Sequence, residues 1–225
     1  MFAEIKENLK DIQKINNSVI LDNPVVVTQD KSVVLKFDAE KKGVKFDEPV
    51  GIYNLNRFLN VIEVLGDNFT DKIENNVIHL EKGKIKQKYE TTAVQLLDDT
   101  RIDPGLFERV KGTEPFATFD LNVDLLKYLK KVASILGHKE VIIENGRIVV
   151  TTLDANDNYM DENIVEVDIA TDEAIVIDVD ALNKIPELNY NVTLHKNKNG
   201  NIVAYLTAEE EPYDILVAIT KTINK

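Results

Sequence analysis

Three histidines, one acidic loop and two lysine-rich stretches hold the residues with obvious chemical capability in this 225-residue chain. The histidines, His79, His138 and His195, lie far apart in sequence. His79 and His195 fall inside strand-like alternations, which suits a sheet face better than a catalytic centre. Asp154, Asn156 and Asn158 occupy the first, third and fifth positions of a calcium-loop spacing. Tyr159 stands where such a loop needs Gly, however, and Val165 where it needs a bidentate Glu, so the segment reads as a solvated hairpin loop. With no cysteine there is no thiolate nucleophile, disulfide or cysteine-ligated zinc. Neither a phosphate-cradling Gly-rich motif nor His-Glu-x-x-His is present. The expectation is a non-enzyme with no metal and no cofactor.

The lysines carry more information. On a helical wheel Ile5, Leu9 and Ile12 form one stripe, and Lys6, Lys10 and Lys14 a second. Glu4, Glu7 and Asp11 form a third, so charge is sorted by sign. In the stretch after Asn122, Leu125, Leu129, Val132 and Leu136 share a face, and Lys127, Lys130 and Lys131 are expected opposite. Arg57 and Lys184, on two further helices, could join the same surface. A basic surface of this kind attracts phosphate backbone without reading bases. The simpler reading is that these lysines merely solvate helix faces.

The elements that must position these residues are legible from periodicity and punctuation. Residues 2–15 predict an amphipathic helix. Strands are expected over 25–28, 32–37 and 45–53, and a helix capped by Asn56 runs to Leu65, where Gly66 stops it. A meander of strands over 70–74, 77–81, 84–90 and 93–97 follows. Beyond a break at 99–114, punctuated by Pro104-Gly105 and Gly112, the pattern resumes. It comprises a strand at 116–120, a helix from Asn122 to Leu136, a hairpin turning at Asn145-Gly146, strands at 163–169 and 173–178, and a short helix capped by Asp180. Three last strands cover 190–196, 201–207 and 213–220. Tyr53-Asn54-Leu55-Asn56, Phe119-Asp120-Leu121-Asn122 and Ile177-Asp178-Val179-Asp180 repeat one strand-to-helix signature. The expected fold is α+β, with two similar domains, 1–98 and 115–225, joined by the linker 99–114. Each would pack two helices on curved antiparallel sheets.

Composition bounds the rest. At 44% apolar residues the chain can bury a core, and no apolar run is long enough to span a membrane. The N-terminal residues do not resemble a signal peptide, so a reducing cytoplasm is the expected location. The net charge of −12 argues against nucleic-acid binding when taken as a sum. The distribution of the lysines argues the other way.

Over nearly its whole length the chain resembles the sliding clamps of DNA replication, specifically those of T-even-type bacteriophages. The resemblance runs through the N-terminal helix with Ile15-Asn16-Asn17-Ser18-Val19-Ile20-Leu21, and through Ile52-Tyr53-Asn54-Leu55-Asn56-Arg57-Phe58-Leu59. It continues over 139–152, 175–182 and the closing strand pair. It implies a ring-forming homotrimer with helices lining a hole and sheets outside. Such a ring encircles double-stranded DNA without sequence preference, tethers the replicative DNA polymerase for processivity, and is opened by an ATP-dependent clamp loader. A β-rich structural or interaction protein of a virion, with no DNA role, is the alternative.

Three residue sets follow from this reading. The DNA-facing set is Lys6, Lys10, Lys14, Arg57, Lys127, Lys130, Lys131 and Lys184. The protomer interface is expected where two edge strands pair head to tail, at Ala93, Gln95 and Leu97 on one side and Ile164, Val165, Val167 and Ile169 on the other. The pocket for a partner peptide is expected beside the linker, at Ile102, Leu106, Phe107, Tyr213 and Ile215.

Overall fold

The computed structural model describes residues 1–22, 24–100, 102–103 and 105–223. Two compact units emerge, Met1–Gln29 with Val34–Asp103, and Asp30–Val33 with Pro104–Lys225. The division falls inside the expected linker, but most of that segment is structured. Gly105–Lys111 forms a helix, α3, that belongs to the second unit.

In the first unit, α1 (Lys6–Ile15) follows a turn at residues 2–5, so the helix begins later than its apolar periodicity predicts. Phe2, Ile5, Leu9 and Ile12 are nevertheless fully buried. They face α2 (Leu55–Leu65), whose Leu55, Phe58 and Ile62 are buried too. Phe58 is central, meeting Phe2 edge-on at 5.0 Å between ring centroids and Tyr89 at 4.9 Å. The strands are β1 (Val19–Ile20), β2 (Val25–Val27), β3 (Val33–Phe37), β4 (Gly51–Ile52), β5 (Thr70–Glu74), β6 (Val77–Lys82) and β7 (Ile85–Glu90). The last three form an antiparallel meander. Its first turn, Asn75-Asn76, places both residues at positive φ (51° and 60°), a conformation that Asn tolerates and that matches strand twist in two-residue hairpins. Only Gly51 and Ile52 of the expected 45–53 strand are in a ladder, with β1. Gly51 is required there, because a Cβ would lie 2.3 Å from the Thr92 carbonyl oxygen.

In the second unit, β8 (Pro115–Leu121), β13 (Tyr190–Lys196), β14 (Ile202–Ala208) and β15 (Tyr213–Ala218) run antiparallel in that spatial order. A second sheet has the order β11 (Asn163–Glu166), β10 (Arg147–Thr151), β9 (Glu140–Glu144), β12 (Ala174–Asp178), β16 (Lys221–Ile223). Its central strands are buried on both faces, with Ile142, Val149 and Val176 fully enclosed. α4 (Val123–Leu136) and α5 (Val179–Lys184) complete the unit, which therefore holds three helices with α3 rather than two.

The helix starts show how the repeated signature works. Asn122 caps α4, its side chain accepting from the Leu125 amide at 2.8 Å. For α2 and α5 the cap is instead the first polar residue of the signature. Asn54 accepts from the Arg57 amide, and Asp178 from the Asp180 amide. The expected caps, Asn56 and Asp180, lie inside the first turn. Asn56 receives its own partner from elsewhere, as its amide donates to Asn17 Oδ1.

Candidate nucleic-acid interface

The lysine stripe of α1 exists, but its charges are engaged. Lys10 Nζ lies 2.8 Å from Glu7 Oε1, and Lys14 Nζ 2.8 Å from Asp11 Oδ1. Both are i, i+3 pairs, so stripes sorted by sign on the wheel are near enough to join hands across their boundary. Lys6 reaches across to α2 and meets Glu63 Oε2 at 2.8 Å, with its own side chain 13% exposed. That charge-assisted hydrogen bond raises the Lys6 ammonium pKa and lowers that of the Glu63 carboxyl. Arg57, in the first turn of α2, is exposed. Its positive charge acts to lower the Tyr89 phenol pKa, against a larger upward push from burial.

On α4 the expected trio divides. Lys127 and Lys131 are exposed. Lys130 is not on their face. Its side chain is 13% exposed, and its ammonium donates to the Ile185 carbonyl at 2.6 Å, with Glu187 Oε1 at 3.7 Å. Lys130 fastens α4 to the chain just after α5. The physical reason is angular: at 100° per residue, position 130 lies at the edge of the apolar stripe, where a long stem can bury itself and present only its head. Lys184 is exposed at the last turn of α5. Of the eight expected cations, Arg57, Lys127, Lys131 and Lys184 are exposed and form no salt bridge among the described residues.

The expected peptide pocket is largely filled by the chain itself. Phe107, from α3, is fully buried and meets Tyr205 at 6.2 Å, edge-on. Tyr213 and Ile215 are buried as well. Lys111 Nζ stands 5.1 Å from the Tyr205 ring centroid and 3.6 Å from Asp214 Oδ2, which holds the end of α3 on the sheet. Thr113 continues the attachment, its hydroxyl 3.0 Å from His195 Nδ1. Phe107, Tyr213 and Ile215 are therefore interior packing of the second unit and not open anchors for a partner. Ile102 and Leu106 remain half-buried.

The expected interface strands are also revised. Residues 93–97 are not a strand: Val94–Thr100 forms a 3-10 helix, and Leu97 is buried beside Gly51. Ala93 and Gln95 are exposed but belong to no ladder. The other expected strand is real but shorter. β11 ends at Glu166 and pairs only with β10, leaving one edge without a strand among the described residues. Ile164 is exposed, Val165 and Val167 are half-buried, and Ile169 turns inward. In the first unit β7, paired only with β6, is likewise an edge. Its Lys84-Ile85-Lys86-Gln87-Lys88 alternation is the sequence signal that points to it.

The two remaining chemical candidates behave as structure. Asp154 accepts from the Asn156 and Asn158 amides, both at 2.8 Å, and these bonds with the Asn158 side chain hold its carboxyl pKa below the usual range. Among the described residues no cluster of His, Asp or Glu is placed to hold a metal ion. His195 is buried between Thr113 and Thr193, and burial lowers its pKa. Nor is any helix among the described residues long and apolar enough to cross a membrane.

No protein-family model and no curated protein matches this sequence. Solved structures do. PCNA of A. fulgidus, solved with the C-terminal region of FEN-1, is similar over 97% of this chain and 96% of its own (TM-score 0.65, 9% identity). PCNA of Thermococcus kodakaraensis is similar over 97% of both chains (TM-score 0.63, 11% identity). The Helicobacter pylori beta clamp bound to a DNA ligase peptide is similar over 98% of this chain (TM-score 0.59, 14% identity), which spans 65% of that longer one. The α+β architecture is that of these PCNA and beta-clamp structures, the DNA clamp fold.

Proposed function

We propose that this chain is a sliding clamp of the T-even phage type. Three copies close head to tail around duplex DNA, and the ring tethers a replicative polymerase after an ATP-dependent loader has opened it. The chain itself performs no chemistry and works in the cytoplasm where replication occurs. The observation that carries this reading is the clamp architecture at matched length with PCNA, over 97% of the chain.

Sliding needs attraction without register. Exposed lysines that reach phosphates through water give a nearly flat potential along the duplex, and closure of the ring supplies the retention. Arg57, Lys127, Lys131 and Lys184 are the group available for this, with Lys10 and Lys14 able to exchange weak surface pairs for phosphate. The acidic remainder of a chain of net charge −12 repels DNA from other surfaces.

Ring closure is assigned to the free edges of β7 and β11. Lys84, Lys86 and Lys88 flank one, and Glu162, Glu166 and Asp168 the other, all exposed. Opposite charges across a strand pair are favourable, and a heterologous contact of this kind closes when its rotation permits. Partner proteins dock near the half-buried Leu106 of α3.

The test is retention on circular duplex after loading. Protein that stays on circles at moderate salt and is lost on linearisation supports the ring. Equal retention before and after linearisation refutes topological binding, and a monomer by sedimentation refutes the trimer.

A further inference from the structure

The exposed face of α4 combines two properties that sliding does not need together. From Leu125 to Lys139 the chain contains no Asp or Glu, in a protein where such residues number 39 in 225. Along that stretch Lys127 and Lys131 face solvent. Beside them stand Tyr128, 45% exposed, and Ile135, 70% exposed. Wheel positions place Lys127, Lys131, Ile135 and Tyr128 within one arc of about 100°, opposite the buried Leu126, Leu129 and Ala133. Asp124 shares the arc in the first turn, and Ser134 borders it. α4 also leaves Leu136 54% exposed at its C-terminal end, outside this arc.

Duplex backbone offers little to an aromatic ring, because its bases are already stacked on one another. An unpaired strand offers a base face. Alternating cations and an exposed aromatic along one track is the arrangement that holds single-stranded nucleic acid, with phosphates on the lysines and a base on the ring. Lys127 and Lys131, one helical turn apart, suit neighbouring phosphates of one strand. Beyond Asp124 in the first turn this face carries only cationic charge, which selects a polyanion over an apolar protein partner.

We propose that Tyr128, with Lys127 and Lys131, forms a stacking site for an unpaired DNA base on α4. The site deepens the clamp reading and rests on α4 being the nucleic-acid face. It gives the protein a way to distinguish a stretch holding single strand from continuous duplex.

The test is fluorescence anisotropy with the full chain, using labelled oligo-thymidylate and a labelled duplex hairpin of equal charge, for the parent and for Tyr128→Ala and Tyr128→Phe. The ring is 45% exposed, and a thermal melt equal to the parent confirms the fold. Tyr128→Ala should weaken oligo-thymidylate binding about tenfold and leave duplex binding within about twofold, while Tyr128→Phe keeps both. Equal loss on the two probes, no loss on either, or a parent that does not bind oligo-thymidylate at low salt overturns the proposal. Retention on circular duplex is read in parallel. A Tyr128 effect without retention leaves the stacking site and removes the clamp, and retention without a Tyr128 effect does the reverse.

Discussion

Lys130 and its two neighbours on α4 allow one experiment to separate fold from function. Lys130→Met keeps the apolar stem but deletes the ammonium that donates to the Ile185 carbonyl at 2.6 Å. A lost charge-assisted bond at a site this covered costs about 1.5–3 kcal/mol. For a chain of this length that corresponds to a melting point lower by roughly 4–10 °C. Lys127→Gln with Lys131→Gln removes two exposed charges that carry no such bond, so the melting point should stay within about 1–2 °C. Duplex binding should invert this order. Each phosphate contact contributes about 0.9 to the slope of log affinity against log salt. Losing two in one copy lowers the slope by about 1.8. Between 50 and 200 mM salt that change alone is worth about twelvefold in how steeply binding falls.

The assay is a salt titration of duplex binding by anisotropy, beside a thermal melt, for the parent and both variants. If Lys130→Met flattens the salt slope while melting like the parent, Lys130 is a DNA contact and the buried hydrogen bond is not its role. If the double variant leaves the slope unchanged, the exposed face of α4 does not meet phosphate.

Phe107→Ala should destabilise the second unit by about 3–5 kcal/mol, read as an early transition in chemical denaturation, because a fully buried ring is removed from its contact with Tyr205; unchanged stability would return Phe107 to the role of a peptide anchor. His195, whose pKa burial lowers, is neutral in the fold and binds a proton more readily once unfolded, so stability is kept above the ordinary histidine value and declines as pH falls below it. His195→Gln should flatten that decline between about pH 7 and 5 in denaturant titrations, and a parallel decline in the variant would contradict it. On the proposed ring, Lys86→Glu with Lys88→Glu should give monomer in sedimentation where the parent is a trimer, and combining it with Glu162→Lys and Glu166→Lys should restore assembly; dissociation without restoration would place the interface elsewhere.

Helices and hairpins were legible wherever period, cap and stop residues agreed. α4 runs between Asn122 and Gly137 as expected, and the β9–β10 hairpin turns at Asn145-Gly146. The caps of α2 and α5 were misplaced because the signature offers two acceptors two residues apart, and either can satisfy the free amides of a first turn. α3 escaped notice because its seven residues sit between Gly105 and Gly112, which read as linker punctuation. A helix so short gains its stability from tertiary contact, here Phe107 on Tyr205, which no local pattern records. Ile102, Leu106 and Phe107 read as anchors for a partner peptide, but Phe107 packs inside the second unit. The lysines illustrate the same limit. Periodicity put Lys6 in a separate basic stripe and Lys130 opposite the apolar face, and only the neighbours, Glu63 and the Ile185 carbonyl, reveal that both are committed.

That commitment bears on how a clamp of this charge would slide. A ring lined by free cations would bind duplex tightly, and each step along the backbone would break several charge contacts at once. Here the cations of α1 already have partners. Pairs such as Lys10–Glu7 and Lys14–Asp11 are exposed and worth at most about 1 kcal/mol each. On the proposed reading, a passing phosphate would exchange with a carboxylate at nearly equal free energy, and the lysine would return to its helix partner when the phosphate moves on. The carboxylates lower the depth of each phosphate contact without removing the attraction. On the proposed reading, the sorted charges of α1 flatten the sliding potential, while the unpaired Lys127 and Lys131 of α4 supply what net affinity the face retains.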